Sequence, residues 1–131
     1  MRNPRPGLRW SQQRVQHRVN YALWMSSPEW LARRRRWRAA WVAAHLTEPV
    51  CLICGRPWTL ESGELHHRSY RRLGDEADED LIPLCRTPCH EQLHRVLESH
   101  PAWVRSGRAH ATDVIVARLR ATLPDKEHRI D

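Results

Sequence analysis

Four cysteines in two close pairs are the strongest constraint on how this chain can fold. Two residues separate Cys51 from Cys54, three separate Cys85 from Cys89, and the 131 residues contain no other cysteine. Two thiol pairs at such spacing fit a tetrahedral site in which four thiolates hold one zinc ion. A finger of two cysteines and two histidines is excluded, because 35 residues separate Cys54 from His90 where about a dozen are required. The pairs therefore predict one structural zinc.

The compartment favours the same interpretation of the cysteines. The opening residues MRNPRPGLRW are basic but lack an apolar segment, and no apolar run approaches the length of a membrane span. The sequence therefore predicts a cytoplasmic protein with no secretory signal and no membrane association. Disulfides are disfavoured in a cytoplasm, so paired thiols are first interpreted as metal ligands.

Four histidines accompany the cysteine frame. His90 and His94 lie four residues apart on a predicted helix, so both imidazoles project from one side. His66 and His67 are neighbours on a predicted strand and should point to opposite faces. One of that pair can bind a metal together with the two helical histidines, and the other can act on a substrate as a base. The other five histidines are isolated and are predicted to be surface or capping residues: His17, His45, His100, His110 and His128.

The positive charge is concentrated before the first cysteine. Residues 1–45 carry ten arginines and one acidic residue, a balance of +9, whereas the formal net charge of the whole chain is +7. Arginine offers a planar fork of donors for phosphate, so the pattern predicts a DNA partner. A genome rich in G and C would also raise the ratio of arginine to lysine, and a charge run can be only a solvated helix face. The candidate phosphate contacts are Arg33, Arg35, Arg36, Arg38, Arg68, Arg71 and Arg72.

Periodicity and turn residues predict a mixed set of elements. The Pro/Gly-rich lead, residues 1–7, is predicted to be irregular. A stripe of Trp30, Trp37 and Trp41 is predicted to pack in the core rather than to stack on bases. The acidic run GDEADED, residues 74–80, is predicted to be a solvated turn. The predicted elements are helices over residues 10–25 and 28–45 (with Ser27 as N-cap), strands over 64–68 and 80–84, a helix over 88–98 (with Thr87 as N-cap) and a closing helix over 112–123.

Three stretches carry a family resemblance. LHHRSY, LGDEADEDLIPLC and CHEQLH resemble the HNH (ββα-metal) endonucleases that have a four-cysteine zinc frame. SSPEWLARRRRW ahead of CLICG resembles the lead-in helix of small stand-alone HNH proteins of bacteria and their phages. The resemblance covers residues 26–98. It implies a small α+β fold stabilised by zinc, with a basic, Trp-rich helical extension (1–46), a ββα-metal core (47–99) and a C-terminal helix and tail (100–131).

The resemblance also implies roles for individual residues. His66 corresponds to a metal ligand and His67 to the general base. His90 corresponds to the second metal ligand, and His94 to a third ligand present in some branches of the family. Asp80 occupies the catalytic position where the family usually has asparagine, which fixes the loop that holds the base. Ionised aspartate can only accept hydrogen bonds, so this is a departure from the pattern.

The implied function is metal-dependent hydrolysis of DNA phosphodiester bonds. The active-site cation is expected to be Mn²⁺, Ni²⁺, Mg²⁺ or Zn²⁺, with imidazoles suiting Mg²⁺ least. Expected partners are DNA and other phage or host DNA-processing proteins. One alternative is a zinc-ribbon DNA-binding accessory protein without catalysis, for example in phage DNA packaging. A second is a metal-stabilised protein-interaction domain that docks through its Trp-rich helix.

Overall fold

A computed structural model describes the backbone of residues 6–123 and the side chains of residues 15–123. The predicted irregular lead falls mostly in residues 1–5, outside the described residues, and Pro6 already begins a helix. The tail beyond Leu123 is outside them as well. The described elements are α1 (Pro6–Met25), α2 (Pro28–His45), β1 (Gly63–His67), β2 (Leu81–Cys85), α3 (Glu91–Leu97), α4 (Pro101–Arg105) and α5 (Arg108–Ala121).

Local sequence signals set the ends of α2. The Ser27 hydroxyl accepts a hydrogen bond from the Trp30 backbone N–H at 3.1 Å, and Pro28 fills the first helical position. Both features are favourable at a helix start, so the predicted N-cap is confirmed. At the other end Leu46 turns into the left-handed region, with φ of 59°, and its N–H donates to Val42 O.

The two strands form an antiparallel hairpin that ends at the histidine pair. His66 lies opposite Ile82, and His67 lies opposite Leu81. Because successive side chains of a strand point to opposite faces, the two imidazoles leave the sheet in opposite directions. A 3₁₀ turn, Asp78–Asp80, leads into β2. The predicted α+β class is confirmed by this sheet and the helices around it.

A separate hydrophobic cluster covers each face of the hairpin. The first lies under α2 and is built around tryptophan. It confirms the core role predicted for Trp30 and Trp37, while Trp41 is partly buried and packs against the cluster. Its buried members are Trp30, Trp37, Trp58, Leu65 and Leu81. The second joins the cysteine loops to α3 and α5. Its buried members are Cys51, Ile53, Leu84, Cys89, Leu93, Leu97, Ala111 and Ile115. The hairpin therefore lies between two helical layers, with one histidine in each.

The region after β2 differs from the prediction. A π-helical turn, Arg86–His90, precedes α3, and the backbone of Thr87 within it is not helical. The Thr87 hydroxyl donates to the Glu91 carboxylate at 3.1 Å rather than accepting from a backbone N–H. Thr87 therefore stands at the predicted helix boundary with an extended backbone, but its side chain does not cap the helix. The short helix α4 was not predicted, and α5 begins at Arg108, earlier than the predicted closing helix.

Two glycines allow the hairpin and the first cysteine loop to form. A side chain at Gly63 would collide with the indole of Trp58, since a Cβ atom there would lie 2.2 Å from Trp58 Nε1. That indole donates to Glu64 O at 2.8 Å, which fixes it beside the start of β1. Gly55 has φ of 77° and closes the loop by donating to Cys51 O at 2.9 Å. Positive φ is readily accessible only to glycine.

Candidate metal centre

The four cysteines come together as predicted. Four sulfur atoms lie within 4.8 Å of one another, those of Cys51, Cys54, Cys85 and Cys89. None of the four forms a disulfide. The Cys54 and Cys85 sulfurs are 3.8 Å apart. Sulfurs bound to zinc at about 2.3 Å would be roughly 3.8 Å apart at the corners of a tetrahedron. The cluster can therefore hold a metal ion such as zinc.

The electrostatics of the thiols favour a bound cation. Burial raises the pKa of Cys89, and hydrogen bonding to Cys85 and the charge of Cys51 raise it further. Burial by itself would also raise the pKa of Cys51, but hydrogen bonds from the backbone of Cys54, Cys85 and Ile53 lower it overall. The pKa of Cys51 is thus lowered while those of Cys85 and Cys89 are both raised, chiefly by burial. A divalent cation at the centre would remove that conflict.

A second cluster consists of three histidines on the α3 and α5 side of the hairpin. His66, His90 and His94 each place one ring nitrogen within 4.8 Å of the others. The Nε2 atoms of His90 and His94 are 3.1 Å apart, close to the roughly 3.3 Å separation of two nitrogens bound to zinc at about 2.0–2.1 Å. His66 Nε2 is 3.0 Å from Thr112 Oγ1, while its Nδ1 is buried without a hydrogen-bond partner.

That buried Nδ1 shows that the residues fit a metal. An unpaired buried polar atom costs free energy unless a ligand satisfies it. If His66 donates from Nε2 to Thr112, its buried Nδ1 carries an unused lone pair. Metal-binding histidines commonly donate their other ring N–H to a nearby oxygen in this way. The three imidazoles therefore form a donor set for a divalent transition metal.

The same environment keeps these ligands neutral. Burial lowers the pKa of His66 strongly, and the positive charges of Arg108, His94 and His90 lower it further. Burial, followed by the charge of His94, lowers the pKa of His90 to about 4. For His94 burial is again the largest cause, followed by the charge of Arg108. Neutral imidazole is the form that binds metal, so all three ligands are ready at neutral pH.

His67 lies on the other face and pairs with a carboxylate. Its Nε2 is 2.6 Å from Glu76 Oε2, and the side chains of the pair are 1% and 0% exposed. Burial lowers the pKa of His67, although the hydrogen bond and charge of Glu76 act in the opposite direction. A neutral imidazole that donates from Nε2 has its lone pair on Nδ1. The pairing therefore selects one tautomer and one ring orientation.

The sequence suggested that the whole acidic run is solvated, and that prediction is wrong for two buried residues, Asp80 and Glu76. Glu76 accepts hydrogen bonds through both carboxylate oxygens. Its Oε2 accepts from the Trp24 indole at 2.8 Å, and its Oε1 accepts from the Gly74 N–H at 3.2 Å. Its backbone carbonyl accepts from Arg33 Nε at 3.0 Å. α1 thus holds the carboxylate of Glu76, and α2 holds its backbone. Asp75, Asp78 and Glu79 of the same run remain exposed, as predicted.

Aromatic rings enclose the His67 imidazole. Trp30 stacks on it with ring centroids 5.1 Å apart, and Tyr70 stacks at 5.5 Å. Tyr21 of α1 meets it edge-on at 6.0 Å. These contacts fix the ring further and leave the residue 2% exposed.

Asp80 stabilises the turn that leads from the acidic run into β2. Its carboxylate receives two hydrogen bonds from Arg72, at 2.8 and 2.9 Å, and a third from the Ala77 N–H at 2.9 Å. Its carbonyl accepts from the Arg68 N–H at 2.7 Å. The hydrogen bond from Arg72 is the largest cause that lowers the pKa of Asp80. Its described contacts hold the loop beside His67.

The predicted phosphate contacts fall into two groups. Four of them form ion pairs within the fold: Arg33 with Asp78, Arg38 with Glu48, Arg68 with Asp113, and Arg72 with Asp80 and Glu79. Arg33 is also buried, so its guanidinium stabilises the fold through its ion pair with Asp78. The other three side chains are exposed: Arg35, Arg36 and Arg71.

Arg108 is a site residue that the sequence did not single out. It lies at the start of α5 and donates from Nε to the backbone carbonyl of His67 at 2.7 Å. Its guanidinium is 4.3 Å from the centre of the Tyr70 ring. Nothing in its sequence neighbourhood distinguishes it from other arginines, because its surroundings form only when α5 packs beside the hairpin.

No family model, curated protein or solved structure matches this chain. The chemistry of the site therefore has to follow from its own residues. Within the described residues no helix is both long and apolar enough to cross a membrane.

Proposed function

We propose that the chain is a metal-dependent nuclease of the HNH type that hydrolyses DNA phosphodiester bonds, with His67 as general base. The observation that carries the proposal is the end of β1, where His66 joins His90 and His94 on one face and His67 pairs with Glu76 on the other. In this proposal β1, β2 and α3 form the ββα-metal core, and the four cysteines hold a structural zinc ion.

Each part of hydrolysis has a candidate residue. A divalent ion held by the three imidazoles would supply a Lewis acid for the phosphate and for the departing 3′ oxygen. His67 Nδ1 takes the proton from the attacking water, because Nε2 already donates to Glu76. Glu76 holds the tautomer and stabilises the imidazolium that results. Asp80 keeps the preceding loop in position and takes no proton.

The burial of His67 has a consequence for this proposal. The imidazole is only 2% exposed, so water and phosphate reach it only when its aromatic cover opens. α1 supplies one ring of that cover, Tyr21. The described contact between Tyr21 and His67 is an edge-on ring contact. Movement of α1 on binding DNA would expose the base while α2 and Trp30 stay in the core.

The proposal is tested with supercoiled plasmid DNA and zinc-loaded protein in separate reactions with Mn²⁺, Ni²⁺, Mg²⁺ and Zn²⁺. At least one ion should support nicking or linearisation by the wild type. A His90→Ala/His94→Ala double variant, purified in the same way, should be inactive at the same ion concentration. Absence of cleavage with every ion, or equal cleavage by the double variant, would reject the proposal.

A second candidate is a DNA-binding accessory protein without catalysis. The burial of His67 favours it, together with the engagement of Asp80 by Arg72. In that case the wild type binds DNA with a strong salt dependence. No ion supports cleavage between about pH 6 and pH 9, a range that begins near the ordinary imidazole pKa of roughly 6.5 and extends above it.

A further inference from the structure

Arg108 differs from the other arginines around the site because its described contacts include no carboxylate. Arg33, Arg68 and Arg72 each form an ion pair within the fold. Among the described residues, Arg108 instead has a backbone carbonyl, at His67 O, and the face of Tyr70. Arg108 is partly buried, and a guanidinium partly removed from water without a counter-charge is costly.

The position of this charge points to an anion. Burial lowers the pKa of Arg108. Among the described residues, the charges of Tyr70 and Tyr21 oppose that shift. The guanidinium donates to the backbone carbonyl of His67 and lines a cavity together with His94. Its charge therefore lies close to histidines of both faces. Any cation held by the histidine cluster would add to this positive field.

Space for a ligand lies beside the guanidinium. A surface cavity of about 500 Å³ is lined by Arg108, the cluster histidine His94, and the rings of His100 and Trp103. One carboxylate, that of Glu98, also lines it. The cavity thus joins a donor fork, a candidate metal ligand and an aromatic ring, which are the groups that bind phosphate and stack on a nucleobase.

We propose that Arg108 binds the phosphate of a nucleic-acid phosphodiester at this cavity, adjacent to the histidine cluster. The Nε atom is used by His67 O, so the two terminal nitrogens of the guanidinium face the phosphate oxygens as a bidentate donor. The identity of the anion rests on the proposed function, whereas the presence of an anion site rests on the unpaired guanidinium.

The test compares the dinucleotide dTpdT, which carries one phosphodiester charge, with its uncharged methylphosphonate analogue. Binding to zinc-loaded protein without added second metal is followed by NMR titration. The wild type should prefer the charged probe by about tenfold or more, the usual worth of a hydrogen bond to a charged group. Arg108→Gln should lose that preference and Arg108→Lys should keep part of it. Arg105→Gln, an exposed arginine on α4, is the matched control and should behave as wild type.

Equal binding of the two probes by the wild type, or an unchanged preference in Arg108→Gln, overturns the inference. If Arg108→Gln does not fold, wild-type side-chain signals decide the matter: the Arg108 Nε resonance, assigned from Arg108→Lys, must shift with dTpdT and not with the analogue. A charge preference that depends on Arg108 in a protein that never cleaves plasmid would reject the nuclease and keep the anion site. Plasmid cleavage by a wild type that shows no charge preference would keep the nuclease and reject the anion site.

Discussion

On one face of the hairpin His66 meets two more imidazoles and a threonine, whereas on the other face His67 meets a carboxylate and three aromatic rings. The residues are identical in type and adjacent in sequence. Strand alternation separates them, and the helices packed on each face then decide what each can do. The His66 face is suited to hold a metal, and the His67 face is suited to hold one tautomer. Composition alone could not separate these roles.

Loss of the cysteine cluster should unfold the protein and so disrupt both faces of the hairpin. Cys51→Ser with Cys85→Ser should abolish the single zinc per chain and the cooperative thermal transition, because the binding free energy of such a site, on the order of 10 kcal/mol, is folding free energy. Metal analysis and circular dichroism measure this, with His110→Gln, an exposed histidine, as control. Retention of one zinc by the double variant would contradict the assignment.

Acid should lower the free energy of unfolding through the buried histidines of the His66 face, by more than the solvent-exposed histidines can explain. The pKa of His90 is lowered to about 4 and that of His66 is lowered strongly, whereas unfolded histidine titrates near 6.5. The unfolded state therefore binds more protons below that pH, so stability is fully present above about pH 6.5 and is lost as pH falls toward 4. Melting temperatures between pH 8 and pH 4.5 should show the decline, and His90→Gln should flatten it. A curve that His90→Gln leaves unchanged would place the titration elsewhere.

Glu76→Gln tests what the carboxylate on the His67 face contributes. Glutamine keeps the size of the side chain and can still accept from Nε2, but it loses the charge that stabilises imidazolium. We expect kcat to fall by about tenfold, while KM and zinc content stay near wild type, since one charge-assisted hydrogen bond is weakened. Glu79→Gln, an exposed residue of the same acidic run, is the matched control. A change confined to KM would show that Glu76 does not act through the base.

The smallest effect concerns DNA affinity. Arg35→Gln with Arg36→Gln removes two exposed charges of α2 without breaking an ion pair described in the fold. The log–log dependence of binding on salt should become shallower by about one unit for each phosphate that the variant no longer neutralises. Arg38→Gln, which already pairs with Glu48, should change the slope less. An unchanged slope in the double variant would identify the run as a solvated helix face.

Local and periodic signals predicted much of this architecture. Cysteine spacing predicted the thiol cluster, Ser27 and Pro28 predicted the start of α2, and strand alternation predicted the divergence of the histidines. What failed was set by contacts distant in sequence. Glu76 is buried because an indole 52 residues away donates to it, and a run of acidic residues gives no sign of that. Arg108 reaches the carbonyl of a residue 41 positions away. Its position follows from the packing of α5, which no local pattern encodes.

In the proposed mechanism His66 holds the metal and His67 takes the proton. The most direct measurement sets His66→Ala beside His67→Ala in a plasmid cleavage assay over a range of Mn²⁺ or Ni²⁺ concentrations, with metal affinity measured on the same samples. His67→Ala should bind the ion as wild type does and lose about 10²–10⁴-fold in rate at every concentration. His66→Ala should bind the ion more weakly and recover part of its rate as the concentration rises. Wild-type cleavage by His67→Ala, or the same concentration dependence in both variants, would contradict the account.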